Sequence, residues 1–354
     1  RLWRGGELHD GQVAYETWGR LAPRRDNAVL LFTGLSPSAH AASSADDPTQ
    51  GWWEAMVGPG RAIDTDRWFV ICVNSLGGCF GSSGPASVDP ANGERWALRF
   101  PEIAIEDIAM GGFQVLRTLG IDTLAAVVGP SLGGMAVLAF VAQYPGIARR
   151  LVSISGSSAA SPVAIALRSV QREAILRDPQ WKGGNYAKDE PPRYGMRLAR
   201  KLGTVTYRSA AEWNERFGRK RIATPAVATA AGSFAPHFAI EGYLEAQAER
   251  FVRSFDANCY LYLSRAMDRF DLHDHGATLG DVFGRSGLER ALVIGVESDF
   301  LFPIDEQAAI AAALEGAGVP TTFARLDSIE GHDAFLVDVE GFDPVIRGFL
   351  DAAR

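Results

Sequence analysis

The segment Gly129-Pro130-Ser131-Leu132-Gly133 constrains the fold of this chain more than any other. It fits the pattern G-x-S-x-G, follows an apolar run at 124–128 and opens a helical pattern. Where a strand turns sharply into a helix, flanking glycines let the backbones approach closely and the central side chain projects from the end of the sheet. The pattern predicts Ser131 as a nucleophile, with the backbone N–H of Leu132 as an oxyanion donor. The alternative is an ordinary glycine-rich turn.

Two further residues supply the partners that a serine nucleophile needs. Asp299 follows the apolar run at 291–296, and His332 follows the next run, at 321–326. Serine, acid and histidine in this order, each behind a strand, is the chain order of an α/β-hydrolase. His332 would take the proton of Ser131, and Asp299 would orient the imidazole. Taken singly, Asp299 could cap a helix at 303–315 and His332 could be a structural loop histidine. Their joint occurrence predicts a catalytic triad.

Short, unbroken apolar runs in the first half of the chain are typical of strands covered on both faces. They lie at 28–32, 68–73, 124–128 and 151–154 and alternate with helical patterns. This alternation predicts an α/β chain, namely an α/β-hydrolase fold with a mostly parallel central sheet.

From residue 159 the pattern becomes amphipathic and helical, which predicts an inserted helical cap. The expected cap helices span 162–177, 193–205, 239–255 and 257–267, and residues 221–233 read as a loose connection of small and polar residues. Strand signals return at residue 290. We therefore predict a core of residues 1–157 and 290–354, interrupted by a cap (lid) at 158–289.

Composition excludes several classes of function. The net charge of −7 among 354 residues argues against nucleic acid, which requires a basic face. Every apolar run is far shorter than the roughly 20 residues that cross a bilayer. The three cysteines, Cys72, Cys79 and Cys259, form no C-x-x-C pair, so neither a disulfide framework nor a metal site is indicated. We expect a cytoplasmic protein with Cys72 in the core.

Several longer motifs resemble the homoserine O-acetyltransferase family, and most closely its serine O-succinyltransferase branch. They are Tyr15-Glu16-Thr17-Trp18-Gly19, Gly51-Trp52-Trp53, and the segments at 58–65, 74–85 and 331–333. The resemblance implies transfer of an acyl group from acyl-coenzyme A (succinyl-CoA or acetyl-CoA) to the hydroxyl of L-serine or L-homoserine through an acyl-enzyme on Ser131. It also implies no bound cofactor or metal, a homodimer, and a role in cysteine or methionine synthesis.

The same resemblance implies roles for three more residues. Leu35 would give the second backbone oxyanion donor, Arg200 would bind the amino-acid carboxylate, and Asp333 would accept from the substrate ammonium. The loop Gly34, Leu35, Ser36 and Pro37 departs from the acetyl-homoserine pattern of the family, which marks it as a specificity loop and favours serine. In the segment around Arg200, two further arginines, Arg197 and Arg208, are typical of an exposed surface.

Several alternatives remain open from the sequence. L-homoserine O-acetyltransferase is the nearest, because one methylene in a pocket is worth only about 1–3 kcal/mol. A succinyl donor needs a cation near its distal carboxylate, and no particular arginine is indicated. An ester or lactone hydrolase would use the same triad. A non-catalytic binding protein on this fold is disfavoured, since such proteins usually lose a triad member.

Overall fold

The computed structural model describes residues 1–222 and 235–352. Its strands, in chain order, are β1 (Tyr15–Trp18), β2 (Ala28–Phe32), β3 (Val57–Gly58), β4 (Ile63–Asp64), β5 (Phe69–Val73), β6 (Ala126–Pro130), β7 (Arg150–Ile154), β8 (Arg290–Val296) and β9 (Thr321–Leu326). The helices are α1 (Ile105–Leu119), α2 (Leu132–Gln143), α3 (Pro162–Leu176), α4 (Arg193–Thr206), α5 (Ala210–Arg216), α6 (Ala239–Ser254), α7 (Ala257–Asp268), α8 (Leu279–Gly284), α9 (Ile304–Gly316), α10 (Ala334–Val337) and α11 (Val339–Asp351).

One seven-stranded sheet forms the centre of the molecule, in the order β1-β5-β2-β6-β7-β8-β9. Only β1 at its edge is antiparallel to its neighbour, and the other pairings are parallel. The predicted mostly parallel sheet is confirmed. Because parallel strands all end at the same edge, the loops after β2, β6, β8 and β9 meet there.

Alternate side chains of each central strand pack into two separate apolar layers. In β2, Leu30 and Phe32 join the layer that α1 and α2 cover, whereas Val29 and Leu31 join the layer under α11. Helix α2 is buried along most of its length, as an apolar helix behind a strand end must be. This close packing fixes the position at which α2 begins, and therefore the position of Ser131.

The described elements between β7 and β8 are helical and comprise α3 to α8, with a short 3-10 turn between α3 and α4 and another between α7 and α8. The four predicted helices are present there, each within one residue of its expected ends. We propose that residues 158–289 form a cap on a core built from 1–157 and 290–354. The predicted connection at 221–233 lies outside the described residues, apart from its first two. Among the residues described, no helix has the length and apolar character that would let it cross a bilayer.

Candidate active site

The turn between β6 and α2 holds Ser131 in a strained backbone conformation, with φ of 57° and ψ of −118°. Its flanking glycines are required by contact distances. A Cβ on Gly129 would lie 2.2 Å from the carbonyl oxygen of Gly133, and a Cβ on Gly133 would lie 2.5 Å from that of Phe32. The backbone N–H of Ser131 donates to Ile154 at 2.9 Å and anchors the turn to β7. The strain thus aims the hydroxyl away from the sheet.

Ser131, His332 and Asp299 form a continuous hydrogen-bonded chain. The Ser131 Oγ lies 2.7 Å from Nε2 of His332, and Nδ1 of His332 lies 2.7 Å from Oδ2 of Asp299. All three side chains are buried. Because an ionised carboxylate only accepts, Nδ1 donates to Asp299, so Nε2 of the neutral ring is free to accept the Ser131 proton.

The acid and the base are each fixed by their own surroundings. Oδ1 of Asp299 accepts from the backbone N–H groups of Leu301 and Phe302, both at 3.0 Å. Helix α9 begins only at Ile304, so Asp299 is not its N-cap. The ring of Phe302 stacks on the imidazole of His332 with centroids 4.8 Å apart. Burial alone would lower the pKa of His332, but the charge and hydrogen bond of Asp299 outweigh it and raise that pKa.

A cavity of about 110 Å³ opens over the Ser131 hydroxyl. The predicted residues that line it come from four parts of the chain: Gly34, Leu35, Ser36 and Pro37; Ser131; Arg200; and His332 with Asp333. The backbone N–H of Leu132, as the first residue of α2, has no acceptor within its helix. Among the described residues the Leu35 N–H has no acceptor either. Two donors are therefore available beside the nucleophile.

Arg200 and Asp333 both line the cavity. The Arg200 guanidinium lies 4.6 Å from the ring centroid of Phe251 and 5.5 Å from that of Tyr207. Its Nε is buried without a hydrogen-bond partner, and it forms no ion pair with any described residue. The Oδ2 of Asp333 lies 3.3 Å from Nε of Arg208. Burial raises the pKa of Asp333, although the Arg208 charge opposes this.

The expectation for Arg208 was wrong. Its side chain is only 10% exposed and pairs with Asp333, Glu330 and Glu212. Its position directly after α4 turns it back toward the loop that carries His332, where three carboxylates surround it. Arg197, in contrast, lies on the partly exposed side of α4 and pairs with Glu245 and Glu249 of α6. Arg208 therefore supports the loop that carries His332.

Comparisons with known proteins show the family to which the chain belongs. A family model for the alpha/beta hydrolase fold matches residues 27–339. A serine O-succinyltransferase of Stenotrophomonas maltophilia (strain K279a) is 56% identical over 352 residues, which cover 99% of this chain and 94% of that relative. An L-serine/homoserine O-acetyltransferase of Streptomyces lavendulae is 55% identical over 350 residues, with 98% and 93% covered. The solved homoserine O-acetyltransferase from Bacillus anthracis superposes with a TM-score of 0.87 at 27% identity, covering 96% of this chain and 92% of that one.

The chain belongs to the homoserine O-acetyltransferase family of α/β-hydrolases. It is therefore an acyltransferase, as the resemblance implied. An acyltransferase needs an acyl donor as co-substrate as well as an acceptor.

One residue that lines the cavity of this acyltransferase was not predicted from the sequence. Arg168 of α3 lines the cavity, is only 5% exposed, and has its Nη2 buried without a partner. Its Nε donates to Oδ1 of Asp268 at 2.5 Å, while Arg172 pairs with Oδ2 of the same carboxylate at 2.5 Å. Two guanidinium groups therefore share one carboxylate.

A signal for Arg168 was present in the sequence. The buried face of α3 comprises Ala164, Arg168, Gln171 and Ile175, which recur at helical spacing. An arginine at an inward-facing position of an amphipathic helix is unusual, because a buried charge is costly unless it is paired. The periodicity could have separated Arg168 from the exposed arginines around it.

Proposed function

We propose that this acyltransferase moves a succinyl group from succinyl-CoA to the side-chain hydroxyl of L-serine. The observation that carries the proposal is the presence of two incompletely satisfied arginines, Arg168 and Arg200, in one cavity with Ser131. Succinyl-enzyme and serine together bring two carboxylates to that cavity. A guanidinium suits each of them because its parallel N–H groups match a planar carboxylate. The relative from Stenotrophomonas maltophilia carries the same activity in its name.

The reaction would proceed in two half-reactions. In the first, His332 takes the proton of Ser131, whose Oγ attacks the thioester carbonyl. The N–H groups of Leu35 and Leu132 stabilise the oxyanion, and the C–S bond breaks. The coenzyme A thiolate takes the proton from His332 and leaves. A succinyl ester on Ser131 remains.

In the second half-reaction, serine would enter with its carboxylate on Arg200 and its ammonium near Asp333. Such a clamp holds the acceptor hydroxyl at His332, which removes its proton as the hydroxyl attacks the ester. Ser131 recovers the proton from His332, and O-succinyl-L-serine departs. Occupation of the cavity by the acceptor keeps water out, and this favours transfer over hydrolysis. The O-acyl product would supply cysteine synthesis by sulfur replacement of the ester.

A second candidate is acetyl transfer to L-serine or L-homoserine. The Streptomyces lavendulae relative, which is almost as similar to this chain, has such a name. Steady-state kinetics with succinyl-CoA and acetyl-CoA against both acceptors distinguish the candidates. We expect the highest kcat/KM for succinyl-CoA with serine, and parallel initial-rate plots. A preference for acetyl-CoA would contradict the succinyl assignment.

A further measurement distinguishes an ester or lactone hydrolase from the two acyltransferase candidates. A transferase should consume acyl-CoA slowly in water and much faster when the amino acid is added. Equal rates with and without the amino acid would contradict the transferase mechanism. Mass spectrometry after mixing with acyl-CoA alone should show a covalent adduct that Ser131→Ala lacks.

We also propose a cytoplasmic homodimer. All three cysteines are free thiols, as is typical of a reducing compartment. Helix α4 exposes Tyr194, Leu198 and Val205, which are 73%, 48% and 42% exposed. Apolar side chains that share a helix face support burial against a second copy.

A further inference from the structure

Two thiols meet where the helical insertion contacts the loop after β5. Cys79 lies in that glycine-rich loop, and Cys259 lies in the first turn of α7. Each thiol contacts a backbone carbonyl that is close in sequence to the other thiol. The Cys259 Sγ lies 3.4 Å from the carbonyl oxygen of Gly78, and the Cys79 Sγ lies 3.9 Å from that of Ser254. The pair thus bridges two distant parts of the chain.

The two thiols differ in access and in acidity. Cys79 is partly exposed, whereas Cys259 is buried. The neighbouring Cys259 thiol lowers the pKa of Cys79, although burial opposes it. Burial raises the pKa of Cys259 well above its ordinary value. The remaining thiol, Cys72, is fully buried in β5, and burial raises its pKa as well. Thiolate character and access together make a cysteine reactive, so Cys79 is the reactive one of the three.

We propose that Cys79 and Cys259 are an oxidation site that closes into a disulfide when the protein meets a peroxide. The Cys79 thiolate attacks hydrogen peroxide, one water leaves after protonation, and Cys79 becomes a sulfenic acid. The Cys259 sulfur then attacks the Cys79 sulfur, an S–S bond forms, and a second water leaves. Two sulfur atoms lose one electron each, and the peroxide is reduced to two waters. This inference does not depend on the substrate of the enzyme.

The disulfide would tie the insertion covalently to the core. An S–S bond of about 2.05 Å is shorter than any contact between two thiols, so the two side chains, the start of α7 or the loop must move on oxidation. Tyr260, the next residue of α7, lines the catalytic cavity and donates to Gln171 at 2.7 Å. Because the bond joins residues far apart in the chain, it should also raise the thermal midpoint of unfolding.

The test is a peptide map of the full-length protein after treatment with a slight excess of hydrogen peroxide and alkylation of remaining thiols. Cys72 and Cys79 share one tryptic peptide, residues 68–95, so the map is made on Cys72→Ala as well as on the natural sequence. We expect a cross-link between peptides 68–95 and 254–265 that is lost on reduction. In the natural sequence, fragmentation of the cross-linked peptide should assign the sulfur to Cys79.

Matched variants complete the test. Cys79→Ser and Cys259→Ser should each abolish the cross-link, and Cys72→Ala should keep it. Peroxide should raise the thermal midpoint of the natural protein and of Cys72→Ala, and dithiothreitol should reverse the rise. A sulfinic or sulfonic acid on Cys79 without a cross-link would overturn the proposal, as would three thiols that all remain open to alkylation.

Discussion

Arg200 lies near two aromatic rings and forms no ion pair with any of the described residues. Burying an arginine without a counter-ion costs free energy that a folded protein rarely tolerates unless a ligand supplies the missing charge. Arg168 is paired with Asp268 through Nε but leaves its buried Nη2 without a partner. The assignment of substrates therefore rests on these two arginines. The serine and histidine indicate only the chemistry that every enzyme with such a triad shares.

Replacing Arg200 with alanine should selectively weaken the binding and use of the acceptor amino acid. Loss of one desolvated charge pair costs about 2–5 kcal/mol, or roughly 30-fold to several thousand-fold in the kcat/KM for serine. Acylation of Ser131 should stay nearly intact, because the donor does not need this charge. Rapid mixing with acyl-CoA, followed by addition of serine, measures the two steps apart. Arg197→Ala, on the partly exposed side of the same helix, is the control and should alter neither step.

Replacing Arg168 with methionine should change the choice of donor. The kcat/KM for succinyl-CoA should fall by about 30-fold or more while that for acetyl-CoA changes little, because only the succinyl group carries a distal carboxylate. Arg172→Met is the matched control, since Arg172 pairs with the same Asp268 but does not line the cavity. Equal losses with both donors in Arg168→Met would assign Arg168 to the fold.

The pKa of His332 predicts the acidic limb of the pH profile. Asp299 raises that pKa, so protonation should remove the base, and with it the acylation rate, below a pH that lies above the ordinary histidine value of about 6.5. In Asp299→Asn the limb should move to lower pH, and the maximum rate should fall by about four orders of magnitude. Coenzyme A release as a function of pH measures both effects. An unmoved limb would contradict the pairing.

The sequence indicated the residues of the triad because chemistry fixes their types and the fold fixes their order. The distances between the three side chains could be obtained only from the structure. Arg168 was missed because no sequence motif marks it, although the helical spacing of its buried neighbours indicates the inward face of α3. Arg208 was misread because its three carboxylate partners lie far away in the chain or beyond a turn.

At the scale of elements, apolar runs were reliable where strands are buried on both faces. The predicted strands at 28–32 and 321–326 match β2 and β9. Strand β1 was not predicted, because it is a four-residue edge strand with only Trp18 fully buried. Strand β6 begins two residues later than its apolar run and continues to Pro130. The later start arises because Leu124 forms only an isolated bridge and the backbone N–H of Ala125 forms a single hydrogen bond to Ala28. The seven-residue α5 was too short for periodicity to show.

The turn between β6 and α2 predicts a large difference between two glycine substitutions. Gly129→Ala should lower the free energy of unfolding by about 3 kcal/mol or more, because its Cβ would overlap the backbone of Gly133. Gly348→Ala, in the interior of α11 with no atom within 4 Å of its Cβ position, should be neutral or stabilising by up to about 1 kcal/mol. Urea unfolding of both variants measures the difference. Similar midpoints would contradict the contact distances.

Across the whole molecule, the cavity is assembled from parts that are distant in sequence. The insertion supplies Arg168, Arg200 and Tyr260, and the core supplies Ser131 and His332. A polar network holds the two together. Arg95 of the core pairs with Asp256 at the start of α7, and within the insertion the hydroxyl of Tyr186 donates to the same carboxylate at 2.8 Å. The position of Arg168 and Arg200 relative to Ser131 therefore depends on how the insertion is held.

The proposed dimer is testable on the exposed face of α4. In the double variant Tyr194→Glu and Leu198→Glu, two like charges would have to be buried against a second copy, which costs several kcal/mol and should give a monomer. Light scattering during gel filtration measures the mass of each form. Val170→Glu, at an exposed apolar position of α3, is a control for general effects of charge. A natural protein that is already monomeric would contradict the proposal.

Strand β8 pairs with β7 across the whole insertion, and His332 lies 201 residues after Ser131. Contacts of such long range form late, because a large loop must close before they contribute. On the ribosome, β1, β2, β5, β6 and β7 can pair before the last two strands of the sheet are synthesised. The growing chain therefore carries its nucleophile well before its general base. Its Ser131 therefore cannot be acylated by cellular metabolites until translation is nearly complete.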